Sequence, residues 1–168
     1  MRRKYRRYFL KEKEVKSILS EASHRLRVDL KQIFKGKVDM ELVETDSADI
    51  LLIKGKPLLI RIEQKILPTL VFNEVFALMS KVAVDMGAVP YVCSGANVMA
   101  PGIVRFEGEF KKGDFVFVVD EKHGKAIAIG EADYDADVAR KVAKGVVIKN
   151  IHFVGDKLWD SIKKMDNT

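Results

Sequence analysis

The sequence predicts an α+β chain: a small N-terminal α/β module over residues 1–80, then a β-rich module over residues 81–164 that closes, fully or partly, into a small barrel. Three observations lead there. Val15, Ile18, Leu19, Ala22 and Leu26 recur at three- and four-residue spacing, the stripe of one amphipathic helix. Short apolar runs on either side of Asp46-Ser47 and Gly55-Lys56-Pro57 read as strands joined by hairpins. Beyond residue 80 the apolar runs stay short, and Gly108, Gly113, Gly124, Gly130 and Gly145 punctuate them as turns of a barrel.

In chain order, Tyr5 to Phe9 is a short strand and Lys11 to Arg27 is the helix, with Lys13, Lys16, Ser20, Glu21 and His24 on its solvated face. Val28 to Phe34 is a shorter helical turn that Gly36 ends. Val38 to Thr45, Ala48 to Lys54 and Leu58 to Gln64 form a twisted meander whose one face the helix covers. Leu67 to Met79 opens at Pro68, carries Leu70, Val71, Val75, Leu78 and Met79, and reads as a helix closing the module.

The second module starts with the strand Val82 to Asp85 and a turn at Met86-Gly87. Ala88 to Ser94 is a short helix in which Pro90 is tolerated in the first turn, and Gly95 is placed to cap it. Strands follow at Val98 to Phe106, Asp114 to Asp120, Ala126 to Ala132 and Val146 to Val154. A helical turn at Asp135 to Val142, capped by Asp135, interrupts them, and Asp156 to Lys164 is the last helix. Trp159, beside Leu158 and Ile162, is expected to be buried and to close one end of the barrel.

Hydrophobic residues make up 48% of the 168, enough for a packed core, and the mean hydropathy is −0.04. No run approaches the roughly 18 apolar residues of a membrane span. The charged start is not followed by a long apolar region, so it does not read as a secretory signal. Cys93 is the single cysteine, which excludes an internal disulfide and a multi-cysteine zinc site and fits a reducing, cytoplasmic setting.

The net charge of +6 is uneven: residues 1–80 hold 17 basic and 11 acidic side chains, whereas residues 81–168 hold 13 of each. The excess is densest at Arg2, Arg3, Lys4, Arg6 and Arg7, a patch expected to attract RNA phosphates. The competing reading is a frayed, solvated terminus. Tyr5, Tyr8 and Phe9 lie among these charges and either anchor a strand or offer stacking surfaces.

Signals for catalysis are weak. His24, His123 and His152 are far apart and not at metal-binding spacing. Asp133, Asp135 and Asp137 alternate as in a calcium loop, but Val138 and Lys144 occupy the positions that need Gly and Glu. Cys93 sits in an apolar setting, and Asp85 has no visible partner. No catalytic residue, metal or cofactor is therefore expected. The most informative stretch is Ser94, Gly95, Ala96, Asn97, Val98, Met99, Ala100, Pro101 and Gly102, an uncharged loop between apolar segments. It reads either as a helix cap running into a strand or as a binding loop whose glycines bring backbone N–H groups close to a ligand.

Val84-Asp85-Met86-Gly87-Ala88, the 95–103 run, Lys112-Gly113-Asp114-Phe115-Val116 and Ala128-Ile129-Gly130 together resemble a PUA domain, the RNA-binding pseudo-barrel of pseudouridine synthases and archaeosine transglycosylases. The ending Gly145 to Trp159 resembles a narrower group, the malignant T-cell-amplified sequence family and the related part of ligatin. The resemblance implies a pre-PUA module over 1–80 and a PUA domain over 81–164. It implies a non-enzymatic RNA-binding protein of translation, acting at the small ribosomal subunit or on the tRNA acceptor end, with a second translation factor as a further partner and no membrane. It places RNA against residues 94–102, with Lys149, Asn150 and His152 as neighbours. Two alternatives stay open: the non-catalytic PUA subunit of a pseudouridine synthase or tRNA-guanine transglycosylase system, and a protein-protein interaction module.

Overall fold

A computed structural model describes residues 5–166. It divides into two compact units, one holding the chain up to Val75 together with the residues from Asp160 onward, the other holding Phe76–Trp159. Arg2, Arg3 and Lys4 of the basic patch lie outside the described residues.

The first unit begins with strand β1 (Arg7–Phe9), helix α1 (Glu12–Leu26) and the short helix α2 (Leu30–Ile33). The α1 stripe Val15, Ile18, Leu19, Ala22 and Leu26 is buried, and His24 is exposed. Arg27, at φ 56°, ends α1 in the left-handed conformation, and Asp29 caps α2 by accepting the Lys31 amide at 3.0 Å. Strands β2 (Met40–Glu44), β3 (Asp49–Ile53), β4 (Lys56–Ile62) and β5 (Lys65–Pro68) complete an antiparallel sheet in the order β1-β2-β3-β4-β5. Pro57 to Ile60 are all buried, so both faces of β4 are covered there.

The β3–β4 hairpin turns through Lys54 and Gly55, both at positive φ, as a two-residue loop matching the strand twist requires. The next hairpin uses the same geometry at Glu63 (φ 49°) and Gln64 (φ 70°), residues without a turn signature. That turn corrects the expected helix over Leu67 to Met79. Its first part is strand β5 on β4, and only Asn73–Leu78 (α3) is helical.

The second unit contains strand β6 (Lys81–Val84), helix α4 (Val89–Val92), strand β7 (Val98–Met99), a 3-10 turn (Ala100–Gly102) and strand β8 (Ile103–Glu107). Strands β9 (Phe115–Asp120) and β10 (Ala126–Ala132), helix α5 (Ala136–Ala139) and strand β11 (Val146–Phe153) follow, then helix α6 (Lys157–Asp166), whose residues from Asp160 onward belong to the first unit. The order in the sheet is β7-β11-β10-β9-β6-β8, with β6 parallel to β9 and the other pairs antiparallel.

The strand expected over Val98 to Phe106 is thus two strands at opposite edges of the sheet. Residues 100–102 alone connect them. Three residues span at most about 11 Å, whereas crossing a flat sheet over four intervening strands takes about 24 Å. The sheet must therefore curl until its edges approach, which gives the PUA-type pseudo-barrel. Val82, Val84, Val98, Val116, Val118 and Val147 fill its interior. Trp159 is only half-buried, unlike Leu158 and Ile162. Asp135 starts α5 in extended conformation, but its carboxylate accepts the Lys112 amide at 2.8 Å instead of capping its own helix.

Candidate nucleic-acid interface

The loop 94–102 is held by its ends. At the end of α4, Gly95 N–H donates to the Val92 carbonyl and Ala96 N–H to the Tyr91 carbonyl, each at 3.0 Å. With Gly95 at φ 98°, this is the Schellman arrangement, and a β-carbon at Gly95 would also press to 3.2 Å on the Phe153 ring. At the far end Ala100 N–H donates to Gly145 O at 2.9 Å, and β7 pairs with β11. Gly102 needs no special φ; its constraint is close packing, since a β-carbon there would lie 3.3 Å from Ala88 Cβ.

One reciprocal link joins loop and strand. Asn97 Oδ1 accepts the Asn150 amide at 2.9 Å, while Asn150 Nδ2 donates to the carbonyls of Val92 and Ala96, both at 3.0 Å. A single carboxamide therefore gives the Val92 carbonyl, already bonded to Gly95 N–H, a second donor and also satisfies the Ala96 carbonyl. Asp85, read as partnerless, accepts the Ala88 amide at 2.8 Å and so shapes the entry to α4.

These bonds revise the expected chemistry of the loop. The amides of Ser94, Gly95, Ala96 and Ala100 are consumed by carbonyls, so the loop is not a cradle of free N–H groups; the Asn97 amide has no partner among the described residues. What it presents outward is side-chain surface. Ser94, Gly95, Ala96, Asn97, Met99 and Pro101 are exposed, Ala100 and Gly102 are half-buried, and Val98 is buried in the core. Met99 is 47% exposed, and in the preceding helix Tyr91 is 70% exposed. A Tyr so open, with its ring on a short helix fixed by the loop, is a ready stacking surface.

Of the three expected neighbours, Lys149 is exposed and lies 3.5 Å from Asp133. Asn150 is the latch just described. His152 cannot touch a ligand, because it is fully buried. Its Nδ1 lies 2.7 Å from Asp156 Oδ2, and Asp156 also accepts the amides of Phe153 and Trp159, which caps α6. His152 is a positioning residue. Burial pushes the Asp156 carboxyl up, but the bonds from His152, Trp159 and Phe153 outweigh it and hold that carboxyl below the ordinary carboxylate range.

Sequence reasoning missed Tyr91 and Lys144. Lys144 is exposed and precedes Gly145, the residue that receives the Ala100 amide. Only long-range pairing of β11 with β7 brings it beside the loop, a signal absent from local pattern. In the first unit, Arg6 and Arg7 are not free charges: Arg6 pairs with Glu44 at 2.8 Å and Arg7 with Glu41. Burial raises the Cys93 thiol pKa, as for an inert packed residue. No helix among the described residues is long and apolar enough to cross a membrane.

Residues 80–154, which hold the curled sheet and the latched loop, match the model of the PUA domain family. Residues 6–73 match a domain of unknown function, DUF1947. The chain is 38% identical over 156 residues to an uncharacterized protein of Methanocaldococcus jannaschii, covering 92% of this chain and 96% of that one. It is 31% identical to malignant T-cell-amplified sequence 2 of Homo sapiens, covering 88% and 84%. It is 30% identical to translation machinery-associated protein 20 of Saccharomyces cerevisiae, covering 77% and 76%. Among solved structures, a hypothetical protein of Pyrococcus horikoshii OT3 superposes with TM-score 0.81 at 34% identity, covering 94% of this chain and 99% of that one. A PUA domain protein of Aeropyrum pernix K1, solved as a tartrate complex, gives TM-score 0.85 at 28% identity, covering 97% and 94%. The chain belongs to the family of translation machinery-associated protein 20 and the malignant T-cell-amplified sequence proteins.

Proposed function

We propose that this chain is an RNA-binding protein of the translation machinery that holds a single-stranded RNA end or loop against α4, residues 94–102 and the neighbouring part of β11. The observation that carries the reading is the exposed Tyr91 and Met99 on backbone fixed by the Asn97–Asn150 latch, within a domain matching the PUA family. An unpaired base can stack on the ring and the thioether, and Lys144 and Lys149 supply cations for the flanking phosphates. The relatives named translation machinery-associated protein support a role in translation, for which this reading takes RNA of the small ribosomal subunit or the acceptor end of tRNA as the target. The basic terminus adds salt-sensitive attraction. A second translation factor is part of the same reading, in a cytoplasmic setting.

Crosslinking in cells followed by sequencing of the bound RNA tests this. Recovery of small-subunit RNA or tRNA 3′ ends, lost on Tyr91→Ala, is the expected result. Recovery of neither RNA would overturn the translation assignment, and crosslinks that survive Tyr91→Ala would move the site elsewhere.

A further inference from the structure

The first module carries a feature that RNA binding by the second does not use. β1 is an edge of its sheet, and all three of its residues are exposed. Leu10 N–H donates to Met40 O and Glu44 N–H to Arg6 O, and Tyr8 is registered with Leu42 between them. Backbone groups alternate along an antiparallel pair, so residues 6, 8 and 10 face β2 and the N–H and C=O groups of Arg7 and Phe9 point away from the sheet. Beside this open edge lies a groove of about 880 Å³ lined by Phe9, Leu10, Val15, Leu19, Phe34 and Met40, among others. Phe9 is 69% exposed and belongs to both the edge and the groove. An exposed edge with apolar side chains is normally blunted or covered. This one is short and carries Arg7, but all three of its residues are exposed and no described strand covers it.

We infer that β1 and this groove take up an extended segment of a partner protein, apolar residues flanked by acidic ones, as a further strand of the first sheet. Main-chain bonds to Arg7 and Phe9 would supply register, and alternate side chains of the segment would enter the groove. Charge selects the occupant. Lys16, Lys31 and Lys37 line the groove against two carboxylates, Glu12 and Asp39. Lys16 is tied to Glu12 at 3.3 Å, whereas Lys31 and Lys37 have no ion-pair partner among the described residues. The basic run before β1 adds to the same field. A second copy of this chain is the rival occupant: parallel pairing of two β1 strands would bring two such basic runs together, whereas antiparallel pairing would set them at opposite ends, so the oligomeric state of the free chain is part of the test.

The test uses the full chain and three synthetic ten-residue peptides. The first alternates Val and Thr between Asp-Glu ends, the second has Lys at those ends, and the third carries Pro at its central positions. Amide NMR shifts locate binding and fluorescence anisotropy measures it. The expected result is that the acidic peptide binds with shifts confined to residues 7–10 and the groove, about tenfold or more tighter than the other two. Phe9→Pro removes one outward N–H without touching the β2 ladder, and should weaken binding by about tenfold beyond Phe9→Ala. Lys31→Glu with Lys37→Glu, both exposed, should invert the preference toward the Lys-ended peptide. No binding of the acidic peptide at about 1 mM, equal binding of all three, or shifts mapping elsewhere would overturn the inference. So would a dimer of the free chain that Phe9→Pro dissociates. RNA titrations of Phe9→Ala and Phe9→Pro, which leave the charge alone, should be unchanged, so this inference and the RNA reading fail separately.

Discussion

The two sheets bury apolar strands with opposite connectivity. In the first, spatial order follows chain order, and each strand from β2 to β5 reaches its neighbour through a short turn. In the second, β6 sits between β9 and β8, and β7 is paired only through β11, almost fifty residues later. The candidate site occurs in the second kind. Its loop is shaped by bonds from Asn150 and Gly145 that close only when the end of the chain is in place. Local wiring gives a sheet that can assemble piece by piece and keeps an open edge; non-local wiring gives a rigid, side-chain-fixed surface. The second sheet should accordingly be the slower to acquire amide protection in pulsed hydrogen exchange during refolding. Earlier protection of β10 and β11 than of β3 and β4 would break the comparison.

Glycines give the largest expected contrast. A β-carbon at Gly130, at the bulge where β10 shifts register on β11, would overlap the Lys149 carbonyl oxygen and lie 2.5 Å from Ile148 Cγ2. Gly130→Ala should cost about 3 kcal/mol or fail to fold. Gly55→Ala, in an open turn at φ 82°, should cost only about 1 kcal/mol. Urea melts of the two variants measure both. Equal losses would mean that the bulge relaxes as freely as the hairpin.

The next effect is on binding. Tyr91→Ala should weaken RNA affinity by about 1–3 kcal/mol with an unchanged melting temperature. Phe9→Ala, an equally open ring on the other module, should leave RNA affinity alone. RNA titration and calorimetry on the same samples separate the two.

Gln64→Gly relieves one left-handed residue of the β4–β5 turn and should stabilise the protein by about 1 kcal/mol. Asp156 sharpens the comparison through pH. Its folded pKa is depressed, so its stabilisation is fully present above the unfolded value of about 3.9 and is lost as pH falls through the folded value. Melting temperature should therefore drop in acid, and Asp156→Asn should remove part of that slope. The smallest effect falls on Arg7, whose exposed pair with Glu41 should change stability by less than about 1 kcal/mol on Arg7→Ala. If Arg6 and Arg7 exchange their carboxylates for phosphates, replacing both flattens the salt slope of RNA binding by about 0.7–0.9 per contact. An unchanged slope would leave them as sheet-edge ion pairs.

Local chemistry made most elements of the first module readable. The α1 stripe and the Lys54-Gly55 turn carry their geometry in their own residues. β5 was hidden because Glu63-Gln64 adopts a glycine-like turn without glycine, and Pro68 then imitated a helix start. In the second module the strand segments were visible but their partners were not. Val98 to Phe106 has continuous strand character, and nothing local shows that Ala100–Gly102 sends its halves to opposite edges. The candidate loop was legible as a loop from its Gly and Pro content. Its contents were less so: Val98 and His152 turned inward, Tyr91 and Lys144 turned outward, and each of these depends on curvature that only the closed sheet defines.

The Asn97–Asn150 latch also bears on how the protein ages. Hydrolysis of the Asn150 carboxamide would replace its NH2 by an anionic oxygen facing two carbonyls, turning two attractive contacts into repulsive ones. At Asn97 the same chemistry would add charge but keep an acceptor for the Asn150 amide. Damage one mass unit in size would thus loosen the loop at one position and spare it at the other. Long incubation at high temperature, with intact-mass and peptide analysis, would follow that loss as a clock separate from unfolding.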